Sequence, residues 1–217
     1  QVCWLAYPGT TGVSAIDYRI TDPFLDPGDG AEYTERSVHV PDSFWCYDPM
    51  STEPDAGSPP ACRTGAVTFG SLNNYCKVNE LVLDLWGSIL SRTPGSRLLV
   101  LAPEGNARIR LSEYLYQRYA VGPQRIMFVG KRPRAEYLRL YREIDLVLDT
   151  HPYNGHTTSL DALWMGVPVV TLAGSTVAGR AGVSLLTTIC VPQLIAATPG
   201  HYVGMAVAMA QDLPGLG

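Results

Sequence analysis

The chain has 217 residues, 46% of them hydrophobic and 17% charged, with a formal net charge of −4. That length suits one large α/β domain, or one domain plus part of another, and the net charge argues against a nucleic-acid surface. No apolar run approaches the roughly 20 residues of a membrane span. The first residues lack the basic stretch of a secretory leader, and the five cysteines form no CxxC pair and no even set for disulfides, so a reducing cytoplasm is the expected compartment.

In chain order, Gln1 to Tyr7 reads as a strand, Pro8 to Gly12 as a turn, and Arg36 to Pro41 as a further strand. These first 49 residues carry too little apolar surface to fold alone. Residues 50–65, "MSTEPDAGSPPACRTG", are rich in Pro, Gly, Ser and Ala and read as a linker. From residue 66 the pattern becomes regular. Strands are predicted at Ala66–Leu72, Arg97–Ala102, Arg125–Val129, Leu146–Thr150 and Val167–Leu172. Helices are predicted at Asn79–Ser91, Ala107–Tyr119, Arg134–Ile144, Thr157–Met165, Val177–Ile189 and Val203–Gln211. Apolar strands alternating with amphipathic helices predict a parallel sheet covered on both faces, a Rossmann-like α/β lobe over residues 66–217.

The stretch "HPYNGHTTSLD", His151 to Asp161, lies between a strand and a helix. In open α/β sheets ligands bind at such strand-to-helix loops. Asn154-Gly155 permits a turn with positive φ. A helix starting near Thr157 directs free N–H groups and its positive dipole end at the loop, and the threonine hydroxyls add donors, which makes an anion site suited to phosphate. Asp161 sits four residues after Thr157 on the same side, while Leu160, Leu163, Trp164 and Val167 form the apolar stripe. An acceptor beside a phosphate site suits ribose hydroxyls. Simple helix capping by Thr157 with a first-turn acid explains the pattern equally well. His151 reads as a loop residue. Earlier, "FGSLNNYCK" leads from the first strand of the lobe to its first helix, where Lys77 can reach a diphosphate. Asn73 and Asn74 can fix that loop or donate to a ligand, and an exposed lysine at a helix start is the plain alternative.

Together, "FGSLNNYCK", "LVLDTHPYNGHTTSLDALWMGVPVVTLAG" and "RAGVSLL" resemble, in order and spacing, the C-terminal catalytic lobe of the SPINDLY / O-linked N-acetylglucosamine transferase family. "QVCWLAYPGTTGVSAIDYRITDPFLDP" resembles the end of that family's N-terminal catalytic lobe. The resemblance implies a GT-B-type glycosyltransferase fold, with residues 1–49 as the remnant of the N-terminal lobe. It implies that Lys77, His156, Thr157 and Thr158, with Gly155, hold the diphosphate, that Asp161 binds ribose, that Asn74 lies beside them, and that Leu5, Ala6, Tyr7, Pro8, Gly9 and Thr10 line the cleft of donor sugar and acceptor. Tyr137 stands where animal members have a histidine near the base and can stack there. Ala6 replaces a glycine of the animal enzymes and narrows the sugar pocket.

The resemblance further implies inverting, metal-independent transfer of a sugar to Ser or Thr hydroxyls of a protein acceptor, with no cofactor and a nucleotide-sugar donor. Asp161 favours UDP-GlcNAc, and GDP-fucose is the alternative suggested by plant SPINDLY. No Asp-x-Asp metal motif occurs. No nucleic-acid or membrane partner is expected, and tetratricopeptide repeats are expected upstream. On this reading the chain is a fragment that binds nucleotide weakly and does not turn over alone. A non-catalytic nucleotide-binding module in a repeat scaffold is the other reading.

Overall fold

A computed structural model of the chain describes residues 1–212, apart from Ala6, Asp29 and residues 52–56. Its first part is a small parallel sheet of β1 (Val2–Cys3), β2 (Tyr18–Thr21) and β3 (Arg36–His39), in that order. β1 is shorter than the expected strand from Gln1 to Tyr7, and Leu5 just beyond it has a φ of 61°. β2 is absent from the sequence reading because its central residue is Arg19, which breaks any apolar alternation. Arg19 is nonetheless buried. It pairs with Asp26 and lies over the Tyr33 ring, 3.4 Å from the centroid.

The expected linker of residues 50–65 is not irregular throughout. It ends in a short helix, α1 (Pro60–Thr64), with proline in its first turn and Gly65 at φ 70° closing it.

Beyond α1 lies a six-stranded sheet of β4 (Thr68–Ser71), β5 (Arg97–Leu101), β6 (Ile126–Val129), β7 (Leu146–Leu148), β8 (Val169–Leu172) and β9 (Ile195–Ala196). Every pairing is parallel, in the order β6-β5-β4-β7-β8-β9. Counted from β4 this is 3-2-1-4-5-6, the order of dinucleotide-binding doubly wound sheets. Alternate strand residues feed two cores. Leu98, Val100, Leu146 and Leu148 pack with Trp86, Leu115 and Tyr202 from α2 (Glu80–Arg92), α3 (Asn106–Tyr119) and α7 (Pro199–Gln211). Leu99, Val147 and Val169 pack on the other face with Leu138 of α4 (Arg134–Arg139) and Ala162 of α5 (Thr157–Trp164).

The helix expected over Arg134–Ile144 is α4 followed by a 3-10 stretch, Leu140–Glu143. The one expected over Val177–Ile189 is a 3-10 turn, Val177–Gly179, and then α6 (Ala181–Thr188). α7 starts at Pro199 rather than Val203, because the Thr198 hydroxyl accepts from the His201 amide at 3.2 Å and proline fits the first turn. Two residues are too few to signal β9 in a sequence.

The small sheet is tied to the large one. Asp22, fully buried, accepts from the Phe44 amide (3.0 Å) and the Ser184 hydroxyl (2.6 Å), and the Trp45 indole N–H donates to that same hydroxyl (2.9 Å). Leu25 and Phe44 pack on Val177 and Ala181. No helix among the described residues is long and apolar enough to cross a membrane.

Candidate functional site

The strand order reverses between β4 and β7, so the loops that follow these two strands leave in opposite directions and open a crevice between them. The loop after β4 carries Asn73 to Lys77, and the loop after β7 carries Asp149 to His156. The two stretches singled out in the sequence therefore flank the switch point.

They also touch. The Lys77 ammonium donates to the Asn154 carbonyl at 2.7 Å and lies 3.5 Å from Asn73 Oδ1 and 4.1 Å from the Tyr153 ring centroid. Burial lowers its pKa, and the nearby charge of Asp149 opposes that shift. The Thr158 hydroxyl donates to Asn73 Oδ1 at 2.8 Å. Asn73 is thus the amide that joins the loops. Asn74 is exposed, and its side chain caps the 3-10 turn Tyr75–Lys77 by accepting from the Cys76 amide at 3.3 Å.

His156 is the N-cap position of α5, without a side-chain capping bond. Neither Thr157 nor Thr158 is the N-cap, and Asp161 lies past the first turn, so plain capping does not account for these residues. The first backbone bonds run from Ser159 and Leu160 to the His156 carbonyl, which leaves the amides of Thr157 and Thr158 at the open helix start. The His156 ring stacks on Tyr153 (5.0 Å, 28°) and meets Trp45 edge-on (5.3 Å). Its Nε2 is buried with no hydrogen-bond partner. Burial, with a contribution from the Lys77 charge, lowers its pKa to about 4, so the ring is neutral at pH 7.

Gly155 does not have the positive φ expected of it. Its reason is space: a Cβ there would lie 2.3 Å from Ser159 Oγ, 2.7 Å from Thr158 Oγ1 and 3.1 Å from Asp149 Oδ1. Gly155→Ala is therefore expected to cost about 1–3 kcal/mol by crowding. Urea denaturation measures this, and an unchanged midpoint would show that the loop yields freely. Asp149 itself holds the loop. One carboxylate oxygen accepts from the amides of Gly155 (2.6 Å) and Thr150 (2.9 Å), the other from the Thr171 hydroxyl (2.8 Å).

Of the expected apolar stripe, Val167 just beyond α5 is buried in the core and Leu163 packs against it, but the stripe is not the buried face of the helix itself. Leu160 and Leu163 are half-buried and Trp164 is exposed, whereas Ser159, Asp161 and Ala162 point inward. Asp161 is 1% exposed. The Arg134 guanidinium grips both its oxygens (2.6 and 3.0 Å), and the Tyr47 hydroxyl donates to Oδ1 at 2.6 Å. Tyr137 lies next to this cluster. Its hydroxyl is 2.9 Å from that of Tyr141, which in turn donates to the Thr158 carbonyl, and burial raises the Tyr137 pKa.

The turn of Tyr7 to Thr10 approaches from the small sheet. The Tyr7 ring is 6.3 Å from that of Tyr153. Pro8 and Gly9 are buried; Arg19 donates to the Pro8 carbonyl (2.8 Å), and Thr10 donates to Glu35 (2.8 Å). Hydrogen bonds from Thr11 and Thr10 hold the Glu35 carboxyl down at about 2. Leu5 is exposed, and Ala6 lies outside the described residues. Among the described residues no three His, Cys, Asp or Glu side chains come together as a metal site would need.

A cavity of about 560 Å³ opens at the opposite end of β7, lined by Pro59, Arg63, Asp145 and Gly166. Asp145 there already accepts from the amides of Ala61 and Thr68 (2.8 Å each), a tie between α1 and the sheet. The polar side chains singled out in the sequence meet at the switch point instead.

Sequence reasoning missed Arg134, Tyr47 and Asp149. Only Asp149 left a signal, a carboxylate closing an apolar strand.

Residues 61–216 match the sequence profile of Glycosyl transferase family 41. A protein of Petunia hybrida named probable UDP-N-acetylglucosamine–peptide N-acetylglucosaminyltransferase SPINDLY is 43% identical over the whole chain, which covers 24% of that protein. A Caenorhabditis elegans UDP-N-acetylglucosamine–peptide N-acetylglucosaminyltransferase is 35% identical over 147 residues, 68% of the chain and 13% of the relative. A solved mutant of the O-GlcNAc transferase of Thermobaculum terrenum superposes with a TM-score of 0.88 at 41% identity, covering the whole chain and 41% of that structure. A sucrose-phosphate synthase of Thermosynechococcus elongatus shares the fold, with a TM-score of 0.50 over 93% of the chain and 56% of its own, at 14% identity. The chain spans about a quarter of the length of the SPINDLY relatives it matches.

Proposed function

This chain belongs to Glycosyl transferase family 41, and from that premise we propose that it is the donor-holding part of a protein O-glycosyltransferase. The enzyme moves N-acetylglucosamine from UDP-GlcNAc to Ser or Thr hydroxyls of a protein acceptor, with inversion and without a metal. The observation that carries this reading is the convergence of Lys77, the neutral His156 and the open start of α5 at the β4–β7 switch point.

In the proposed reaction the acceptor oxygen attacks the anomeric carbon from the face opposite the donor phosphate. The bond from that carbon to the β-phosphate oxygen breaks, and negative charge gathers on the diphosphate. Lys77 meets that charge with its ammonium, Thr157 with its amide and hydroxyl, and Thr158 with its amide, beside the His156 ring. All are fixed before the charge appears, which is the arrangement that lowers a barrier most. Asp161, oriented by Arg134, takes the ribose, and Tyr137 borders the base. The turn from Leu5 to Thr10 faces the sugar and acceptor. Residues 1–49 form the end of an N-terminal catalytic lobe, 50–65 the connection and 66–217 the C-terminal lobe. Tetratricopeptide repeats elsewhere in the protein gather acceptors. The five cysteines are all unpaired, which fits a cytoplasmic setting.

The test is ligand-dependent melting of the full-length protein. UDP is expected to raise the melting temperature by several degrees and GDP to leave it unchanged. A shift with GDP alone would replace UDP-GlcNAc by a guanine-nucleotide donor. No shift with either would reduce the start of α5 to a structural feature.

A further inference from the structure

The residues of the small sheet and its trailing segment do more than pack against the large sheet. Residues 43–50 run across it as a strap. Trp45 hydrogen-bonds Ser184 and abuts the His156 ring, and the Pro49 carbonyl accepts from Arg134 Nε at 3.1 Å. Between these anchors Tyr47 rests its ring on Trp164, with centroids 6.3 Å apart, and directs its hydroxyl inward.

That hydroxyl ends on the one carboxylate proposed to hold ribose. An ionised carboxylate offers about four acceptor positions. The Arg134 fork uses one on each oxygen of Asp161, and Tyr47 takes a further one on Oδ1 at 2.6 Å. Arg134 Nη2 also reaches the Tyr47 oxygen at 3.2 Å, so the hydroxyl is fixed from both sides. Asp161 is 1% exposed, with the phenol among the groups that cover it. A phenol O–H and a sugar O–H are the same kind of donor at the same kind of acceptor.

We propose that the Tyr47 hydroxyl is an internal stand-in for a ribose hydroxyl. It satisfies Asp161 while the donor is absent and is displaced when the nucleotide seats, which makes Tyr47 a positioning residue that sets affinity for ribose-bearing ligands. This rests on the assignment of Asp161 to ribose. Arg134 stays in place in both states and keeps the carboxylate oriented, so only the Tyr47 bond is exchanged.

The test compares UDP with 2′,3′-dideoxy-UDP, which keeps the base and the diphosphate but lacks the hydroxyls that would compete. Tyr47→Phe keeps the ring on Trp164 and removes the competitor. Losing a hydrogen bond to a charged group corresponds to roughly tenfold in affinity. Calorimetry on the full-length Tyr47→Phe protein is therefore expected to show UDP bound about tenfold more tightly than by wild type. The dideoxy analogue, measured by competition, is expected to bind both proteins equally. Tyr47→Leu should move UDP in the same direction if the hydroxyl is what matters. UDP binding that is unchanged or weaker in Tyr47→Phe overturns the stand-in role while leaving the donor site intact. Equal tightening of UDP and the dideoxy analogue also overturns it, because the gain would then not come from ribose. Failure of UDP to bind wild type and variant alike overturns the donor-site assignment, and this inference with it.

Discussion

Lys77→Ala in the full-length protein is expected to lower the rate of sugar transfer about a hundredfold or more while leaving the fold in place. Removing one preorganised group that faces developing charge costs roughly 3 kcal/mol in transition-state stabilisation. Lys77 is the only cation that the β4 and β7 loops bring to the switch point among the described residues. Its structural bonds, to the Asn154 carbonyl and Asn73, are modest, and burial already disfavours its charge. Folding stability should therefore change little. Lys77→Arg should not restore the rate, because a planar guanidinium cannot take the place of a compact ammonium set against the Tyr153 ring. Initial rates with UDP-GlcNAc and a peptide acceptor decide the matter. A Lys77→Ala enzyme working at the wild-type rate would remove Lys77 from the mechanism.

Asp149→Asn should have the opposite signature: greater stability with poorer function. Burial pushes the Asp149 carboxyl up to about 6, against hydrogen bonds from the Gly155 amide and the Thr171 hydroxyl and against the charge of Lys77. The unfolded value is about 3.9. A raised folded pKa stabilises below the unfolded value, and that contribution is lost as pH rises through the folded one. At pH 7 the buried charge thus costs up to about 3 kcal/mol. Asparagine keeps an oxygen for the amides of Gly155 and Thr150, and Thr171 can turn its hydroxyl to accept. Urea denaturation is expected to show the variant more stable at pH 7 and level with wild type near pH 4. A variant less stable at pH 7 would mean that the amide cannot satisfy the loop. The carboxylate is also the charge that raises the pKa of Lys77 against burial. Its loss should move the alkaline fall of the rate to lower pH.

The two loops were legible in the sequence because each is a short run of backbone-defined chemistry: a strand end, small residues, then a helix start with hydroxyls. Their meeting needed the strand order, which no local pattern encodes. Arg134 lay hidden in "KRPRAEYLR", where its charge looked like its solvated neighbours, and Tyr47 sits 114 positions from the carboxylate it meets. By residue type Asn73 and Asn74 were interchangeable, and the family resemblance pointed to Asn74. Only the 3-10 turn at Tyr75 decides which amide faces Thr158 and which faces water. β2 was lost to a buried arginine whose partners, Asp26 and Tyr33, come from further along the chain. On α5 the apolar residues predicted the wrong inner face, because a carboxylate paired with arginine can be buried where leucine was expected.

The ladder between β4 and β7 has only two register pairs, Phe69 with Leu146 and Gly70 with Val147. Adjacent strands stand about 4.8 Å apart whatever their side chains are, a spacing on the scale of one phosphate group. The spacing from which the loops of the proposed anion seat start is therefore set by peptide geometry. What those loops hold is left to the residues on them, Lys77 and Asn73 on one side and His156 to Thr158 on the other.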